Sequence, residues 1–143
     1  MKLKQNKSGF TLLEIIIVII IVGVLASLAL PRFFATVEFS KSTEALNALS
    51  VLRQSMERCY LAASGTYNPA SGACNVANLD VEDPGLSPGA RFTYAASGQS
   101  ATGYVLTATR NTVDGGTSGD LITVTQTSTG VTRAGTGKFV GIK

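Results

Sequence analysis

Apolar side chains follow three successive patterns along the chain. From Phe10 to Leu30 nearly every residue is apolar, and Glu14 is the only charged residue in the stretch. From Phe39 to Ala63 apolar residues recur at steps of three and four, the period of an amphipathic helix. After residue 90 apolar and polar residues alternate in short runs, as in half-buried strands. This order predicts an α+β fold, in which a long N-terminal helix packs against a C-terminal antiparallel sheet of three or four strands.

The first apolar stretch is long enough to cross a membrane. Its 21 residues would form a helix of about 30 Å, which matches the hydrocarbon thickness of a bilayer. Three preceding lysines favour a cytoplasmic N-terminus and export of everything after Pro31. A secretory signal peptide begins in the same way, and residues 27–29 (Ser-Leu-Ala) offer a cleavage site. Such a peptide, however, has a shorter apolar core without a carboxylate.

Neither a signal peptide nor a simple membrane anchor explains Glu14. An ionisable group inside a bilayer is disfavoured by about 2.5–3.5 kcal/mol on insertion scales, so it is interpreted as functional and needs a partner. The alternative is that the Glu14 side chain extends to the headgroup region, since it lies only four residues inside the apolar stretch.

Two residues weaken the helix near the end of the apolar stretch. Pro31 has no N–H to donate to the carbonyl of Ser27, which predicts a kink. Gly23 disfavours the helix by about 1 kcal/mol relative to alanine. The softest part of the helix is therefore predicted between these two residues.

The amphipathic helix is expected to carry a folded head. Breaker residues at 64–69 (Ser-Gly-Thr-Tyr-Asn-Pro) end it near Ala62, and an irregular loop follows to Pro88. Its predicted apolar stripe consists of Phe39, Leu46, Leu49, Leu52, Met56, Cys59 and Ala63.

The alternating segments predict the sheet. Strands are expected at Arg91–Ala96, Tyr104–Arg110 and Leu121–Thr127, with a short fourth strand at Lys138–Ile142. The side chains predicted to face the helix are those of Phe92, Tyr94, Tyr104 and Leu106.

The composition excludes most catalytic chemistry. The chain has no His and only two Cys, which removes most metal and Cys–His mechanisms, so an enzyme is not expected. The net charge of +3 depends on Lys2, Lys4 and Lys7, because without residues 1–9 nine basic side chains face nine acidic ones. The remaining basic residues are scattered along the sequence, so direct nucleic-acid binding is not expected.

Residues 7–14, with the sequence KSGFTLLE, are similar to the processing signature of type IV pilins and of type II secretion pseudopilins. The resemblance implies that a prepilin peptidase cuts after Gly9 and methylates the new N-terminal amine of Phe10. It divides the chain into a leader (1–9), a transmembrane and filament-core helix (10–30) and an exported head (31–143), with the helix continuing to about 62, a loop at 63–88 and the sheet at 89–143.

The same resemblance gives Glu14 a partner. In the family this glutamate pairs with the N-terminal amine of a neighbouring subunit, here that of Phe10, as the helix leaves the lipid for the filament core. An unpaired charge is costly in a low-dielectric core, so the pairing would select the register of assembly. The resemblance also implies that the segment from Gly23 to Pro31 can lose helical structure in a filament, and a simple kink is the alternative.

The expected function is that of a structural subunit of a type IV pilus, serving adhesion, motility or DNA uptake. It would polymerise with copies of itself at an inner-membrane assembly platform, and so pass from the bacterial inner membrane to an extracellular pilus. One alternative is a type II secretion pseudopilin in a periplasmic pseudopilus. Another is a single-pass membrane-anchored binding or sensor module that does not polymerise.

Two cysteines lie in the part of the chain that would be exported. Cys59 and Cys74 close a loop of about sixteen residues, for which a disulfide contributes about 3 kcal/mol in the loop-entropy model. Two free thiols are the alternative.

Two carboxylates flank a glycine-rich loop. Asp114 and Asp120 are a weak candidate for a calcium site. The resemblance suggests this ion, because pseudopilins of the family have a calcium-binding loop. Calcium takes six to eight oxygen ligands, of which the loop offers only two carboxylates. An ordinary turn is the preferred interpretation, and no cofactor is expected.

Overall fold

The computed structural model describes residues 9–69 and 72–142. Residues 1–8, which include Lys2, Lys4 and Lys7 of the expected leader, lie outside the described residues. Contacts within the chain divide it into two units, one ending at Thr36 and one starting at Val37.

A long helical region opens the chain, as predicted. Helix α1 covers Leu12–Ser40 and helix α2 covers Ser42–Ala62. Lys41, the turn residue between them, keeps helical dihedral angles of φ −66° and ψ −18°. α1 includes both Gly23 and Pro31, so the loss of helical structure there in a filament stays a prediction.

Helix α2 ends at Ala62, where the breaker residues begin. The N–H of Ala63 donates to the carbonyl of Cys59 at 2.8 Å. Ser64 then takes a left-handed φ of 58°, a conformation that stops helix propagation. The predicted end of the helix is confirmed.

The head contains one antiparallel sheet in the order β1-β2-β3-β4. Strand β1 covers Phe92–Ser97, one residue later than predicted. The predicted bounds of β2, Tyr104–Arg110, and of β3, Leu121–Thr127, are confirmed. β4 covers Gly130–Gly135 and pairs with β3.

The expectation of a fourth strand at Lys138–Ile142 is wrong. Residues Gly137–Phe139 form a 3₁₀ turn instead. Gly137 takes a φ of 58°, which breaks an extended chain, and the N–H of Lys138 donates to the carboxylate of Asp120 at 3.1 Å. The turn places Phe139, which is fully buried, with its ring centroid 5.7 Å from that of Phe92.

The core of the head lies between the sheet and one stripe of α2. The predicted core residues that are less than 2% exposed are Leu49, Leu52, Met56, Phe92, Tyr104 and Leu106. Leu46, Cys59 and Tyr94 pack against this core while partly exposed. Phe39 was predicted wrongly, since it is 42% exposed, and the fully buried Ala45 begins the stripe. Phe39 precedes the turn at Lys41, whereas Ala45 lies one helical turn before Leu49 on the same face.

The predicted disulfide is confirmed, and the free-thiol alternative is wrong. Cys59 in α2 is bonded to Cys74, with the two Cα atoms 6.2 Å apart. The bond fastens the loop between α2 and β1 to the end of α2. Beyond Cys74 this loop contains two short 3₁₀ turns, Val76–Asn78 and Pro84–Leu86.

Candidate assembly site

The apolar part of α1 has no covering partner within the described chain. No residue of α1, which the structure describes from end to end, is buried. Phe10, Leu12 and Leu28 are 79%, 77% and 70% exposed. By length and composition the helix can cross a membrane, a test that a signal sequence also passes. A continuous apolar surface of this kind calls for lipid or protein to cover it.

Glu14 lies in the first turn of this helix. Thr11 caps the turn, because its Oγ1 accepts the N–H of Glu14 at 3.2 Å. The carbonyl of Thr11 accepts the N–H groups of Glu14 and Ile15 at 3.1 and 3.4 Å. Glu14 therefore occupies the third helical position, where a glutamate follows a threonine cap in a capping box and where the helix dipole favours a negative charge. The Thr-x-x-Glu spacing of residues 11–14 is typical of such a cap. The cap was not among the predictions from the sequence.

The structure places Gly9, Phe10 and Glu14 at the same end of α1, and all three are exposed. Among the described residues, and apart from its neighbours in the chain, nothing lies within 4 Å of the position that a Gly9 Cβ would occupy. Within the part of the chain that the structure describes, Glu14 forms no ion pair.

Gly23 is exposed as well. Among the described residues, a Cβ added there would meet nothing within 4 Å. Packing against the part of the chain that the structure describes therefore gives no reason for a glycine at position 23. A close neighbour in an assembly, or a need for flexibility, would give one.

An ion pair that the sequence analysis missed holds the last turn of α1 to the sheet. Arg110 at the end of β2 has a fully buried side chain, and its Nε donates to Glu38 Oε1 at 2.6 Å. Its Nη1 donates to the carbonyls of Arg91 and Asn111 at 3.1 and 3.0 Å. The hydrogen bond from Arg110, followed by one from Lys41, holds the pKa of Glu38 below its usual value despite the opposing effect of burial.

The pocket around the Arg110 guanidinium is tight. A Cβ at Gly116 would lie 2.3 Å from Arg110 Cζ, so no other residue fits there without displacing the guanidinium. The guanidinium also lies 5.5 Å from the ring centroid of Phe92. Its Nη2 is buried without a hydrogen-bond partner among the described groups. Among the described residues Glu38 is the only carboxylate that pairs with this buried guanidinium, so its loss would leave the charge without an ion-pair partner.

The two carboxylates considered for calcium have different partners. Asp114 pairs with Arg91, which lowers the pKa of that aspartate. Arg91 also pairs with Glu44 of α2 at 2.8 Å. Asp120 accepts the N–H of Lys138. Among residues 9–69 and 72–142 no group of three or more His, Cys, Asp or Glu side chains could hold a metal ion, so the calcium hypothesis gains no support.

A second polar cluster fastens the loop that the disulfide closes. Asp80 accepts hydrogen bonds from Ser55 and from Arg58, whose Nη2 lies 2.9 Å from the carboxylate. These bonds, first that from Arg58 and then that from Ser55, lower the pKa of Asp80 to about 2. Ser55 is buried, so its hydroxyl needs such an acceptor.

Two family models match the chain. Residues 4–30 match the prokaryotic N-terminal methylation motif. Residues 31–121 match the model described as type IV minor pilin ComP, DNA uptake sequence receptor. Together the two matches cover both the apolar helix and most of the head.

Curated relatives include fimbrial and secretion proteins. The fimbrial protein EcpC of Eikenella corrodens is 30% identical over 141 residues, which cover 99% of this chain and 76% of EcpC. The type IV major fimbrial protein FimA of Dichelobacter nodosus is 28% identical over 99 residues, which cover 68% of this chain and 60% of FimA. The type II secretion system core protein G of Aeromonas hydrophila is 37% identical over 54 residues, 38% of each chain.

Proposed function

Since this chain belongs to the type IV pilin family, we propose that it is a structural subunit of a pilus. In this proposal the peptidase cuts after Gly9, Phe10 becomes the methylated N-terminus, and α1 anchors the subunit in the inner membrane. The subunit then polymerises at an assembly platform into an extracellular helical filament for adhesion, motility or DNA uptake.

One observation carries the proposal, namely an apolar helix that has no buried residue and that places Glu14, the only charged residue of the apolar stretch, in its first turn. Lipid covers the apolar surface before assembly, and the helices of neighbouring subunits cover it afterwards. A membrane-anchored sensor that never polymerises would account for the helix. It would leave Glu14 to the helix cap and the headgroup region, without the positively charged partner that polymerisation supplies.

Cleavage supplies the charge that Glu14 needs. The new amine of Phe10 is positive and lies four residues before Glu14 in the sequence. In the filament core, the Phe10 amine of one subunit pairs with Glu14 of the next. Because a charge left unpaired in a low-dielectric core is strongly disfavoured, helices that miss this register do not pack.

Replacing Glu14 tests the pairing. Glu14→Gln keeps the shape of the side chain and removes its charge, so we expect normal cleavage but a filament yield reduced at least about tenfold. Glu82→Gln is the matched control, since it makes the same change at an exposed position of the head. Wild-type amounts of filament from the cleaved Glu14→Gln chain would refute the pairing.

Replacing Gly9 tests the cleavage junction. We expect Gly9→Val to leave an uncut precursor in the membrane, measured as the intact mass of the purified chain. The wild-type chain should begin with a methylated Phe10. A mature-length Gly9→Val chain would show that the junction lies elsewhere.

Microscopy separates the pilus from a secretion pseudopilus. Material sheared from the cell surface should contain long fibres that an antibody against this chain labels along their length. If the chain stays in the periplasm and its deletion blocks protein secretion, the pseudopilin alternative is correct.

A second candidate function is reception of DNA during uptake, which the description of the family model for residues 31–121 favours. Among the described residues that follow the apolar stretch, four basic side chains form no ion pair and are therefore available for phosphates: Arg32, Arg53, Arg133 and Lys138. Each subunit could thus contact only a few phosphates, and repeated subunits along a filament would supply avidity.

The salt dependence of binding tests this second function. A duplex oligonucleotide titrated into the solubilised chain should bind with a log–log salt slope no steeper than about −4, since each phosphate contact contributes about −0.9. Undetectable binding at low salt, both to the chain and to filaments, would exclude it.

A further inference from the structure

A polar surface lies at one end of the sheet, apart from the residues to which the proposed assembly assigns a role. It consists of two adjoining depressions with volumes of about 300 and 310 Å³, at the lower end of the range for small-ligand sites. The depressions share Thr102 before β2, Gln126 and Thr127 at the end of β3, and Ser128 in the following turn. The two depressions together are called the sheet-end cleft.

Two tyrosines form one wall of the sheet-end cleft. Tyr60 and Tyr67 line the second depression, with ring centroids 4.6 Å apart and ring planes inclined by 37°. The hydroxyl of Tyr67 donates to the carboxylate of Glu57, whose two oxygens lie 3.0 and 2.9 Å away. Tyr67 is 4% exposed and supports the half-buried Tyr60. The wall is therefore a fixed aromatic surface.

Hydrogen bonds and close packing hold the segment 100–103, which also lines the cleft. Ser100 Oγ accepts the N–H groups of Thr102 and Gly103 at 3.3 and 3.0 Å. The N–H of Tyr67 donates to the carbonyl of Ser100 at 3.1 Å. Gly103 lies so close to β3 that an added Cβ would be 2.6 Å from the carbonyl oxygen of Gln126. The cleft is thus formed before any ligand arrives, which reduces the ordering cost of binding.

The lining offers hydrogen-bonding groups without charge. None of the residues that line the two depressions is charged. In the part of the chain that the structure describes, the hydroxyls of Tyr60, Thr102 and Ser128 and the amide oxygen of Gln126 have no partner. Hydroxyls donate and accept, and the amide oxygen accepts, so the set suits a ligand with hydroxyl groups of its own.

We propose that the sheet-end cleft binds a neutral saccharide. A sugar ring has an apolar C–H face, which would lie on the Tyr60 ring, and a hydroxyl edge, which would bond to Thr102, Gln126 and Ser128. An anionic sugar would find no cation in the lining, and a nucleic-acid strand needs basic side chains for its phosphates. This proposal goes beyond the proposed function and does not depend on polymerisation.

The test uses the unassembled, full-length mature chain in a zwitterionic detergent that contains no sugar. The probes are the methyl glycosides of galactose, glucose, mannose and N-acetylglucosamine, each tested separately by saturation-transfer NMR. We expect transfer from aromatic protons of the protein to the ring C–H protons of at least one glycoside. Transfer to none of the four would overturn the proposal, as would binding only of a sialic acid glycoside or a single-stranded oligonucleotide.

Three variants locate the site. Thr102→Ala and Gln126→Ala should each raise the Kd of the bound glycoside about two- to tenfold, the effect of one neutral hydrogen bond. Tyr60→Phe keeps the ring and should have an effect of similar size. Thr132→Ala, at an exposed position of β4 outside the lining, should leave the Kd unchanged.

The same variants can also refute the site. If Thr102→Ala and Gln126→Ala bind the glycoside as the wild type does, the sugar binds elsewhere and the assignment fails. Because both positions are at the surface of the cleft, the near-ultraviolet circular dichroism should stay that of the wild type. Filament yield is unaffected by this outcome, so failure of the sugar site and failure of the pilus proposal are distinguishable.

Discussion

Helices α1 and α2 carry similar apolar side chains in opposite environments. Leu25 and Leu28 of α1 are 62% and 70% exposed, whereas Leu49 and Leu52 of α2 are 1% and 0% exposed. Helix propensity does not distinguish these leucines. The sheet covers one stripe of α2, whereas no residue of α1 is buried. Burial of an apolar residue is therefore decided by its tertiary partner, and a helix without one depends on lipid or on other subunits.

The charged residues show the same division. α1 places its first carboxylate, Glu14, in an exposed turn without an ion-pair partner among the described residues. The head buries Arg110 and gives it Glu38. In the head the buried charge of Arg110 is paired within the chain, whereas in the proposed filament a second chain supplies the partner of Glu14.

The largest expected effect on the head comes from breaking its buried ion pair. Glu38→Gln leaves the buried charge of Arg110 without a carboxylate partner, which should lower the free energy of unfolding by about 3–5 kcal/mol. Urea unfolding of the detergent-solubilised chain measures it. Glu82→Gln should change the stability by no more than about 0.5 kcal/mol. If the two variants are equally stable, the pair does not support the head.

Matched apolar deletions compare the two helices directly. Leu52→Ala removes a fully buried side chain and should destabilise the head by about 2–5 kcal/mol. Ile19 in α1 is 60% exposed. Ile19→Ala should therefore change the unfolding free energy of the unassembled chain by less than about 0.5 kcal/mol. An equal loss in both variants would show that α1 packs against its own head.

The disulfide has a somewhat smaller expected effect. Changing both Cys59 and Cys74 to serine should lower the stability of the head by about 3 kcal/mol, since the loop of about sixteen residues regains freedom in the unfolded state. Unfolding with and without reductant measures this contribution. The double variant should be insensitive to reductant, and an oxidised wild type that is no more stable than the double variant would contradict the expectation.

The smallest effect concerns acid. The pKa of Glu38 and that of Asp80 are lowered in the folded head, the latter to about 2. The unfolded chain therefore binds protons more readily, so stability is complete well above the usual carboxyl pKa near 4 and declines as the pH falls towards the folded values. Asp80 is half-exposed, so its contribution to this pH dependence of stability is small.

Unfolding midpoints between about pH 6 and pH 3 follow this decline. We expect Glu38→Gln to show a shallower decline than the wild type, because one of the titrating groups is gone. Identical slopes in the two chains would assign the acid sensitivity to other carboxylates.

The sequence predicted those parts of the fold in which local pattern and tertiary contact agree. The alternation in β2 and β3 gave their bounds, and the three- and four-residue steps in α2 gave Leu49, Leu52 and Met56. β4 was missed because all but the last of its residues are exposed, so an edge strand of this kind has no apolar alternation to detect. Its pairing with β3 rests on backbone hydrogen bonds, which any sequence can form.

The candidate site divides in the same way. The signature at residues 7–14 pointed to Gly9, Phe10 and Glu14. These residues were predictable because they lie close together in the sequence. The partnership of Arg110 with Glu38 depends on how the chain folds back. Arg110 does stand at an inward position of the alternation in β2, with Leu106 and Ala108 before it. That signal marked it as buried, but no pattern in the sequence indicated which acid would accompany it.

The arrangement around Arg110 also restricts how related chains can diverge. Glu38 and Arg110 lie 72 positions apart in the sequence. A neutral residue in place of Glu38 leaves the buried charge of Arg110 without an ion-pair partner, and a smaller residue in place of Arg110 leaves a cavity. A descendant that loses one of them is expected to lose both, through an apolar pair of similar volume. Gly116 is free to vary only after that exchange, so the order of historical substitutions at these three positions is itself constrained.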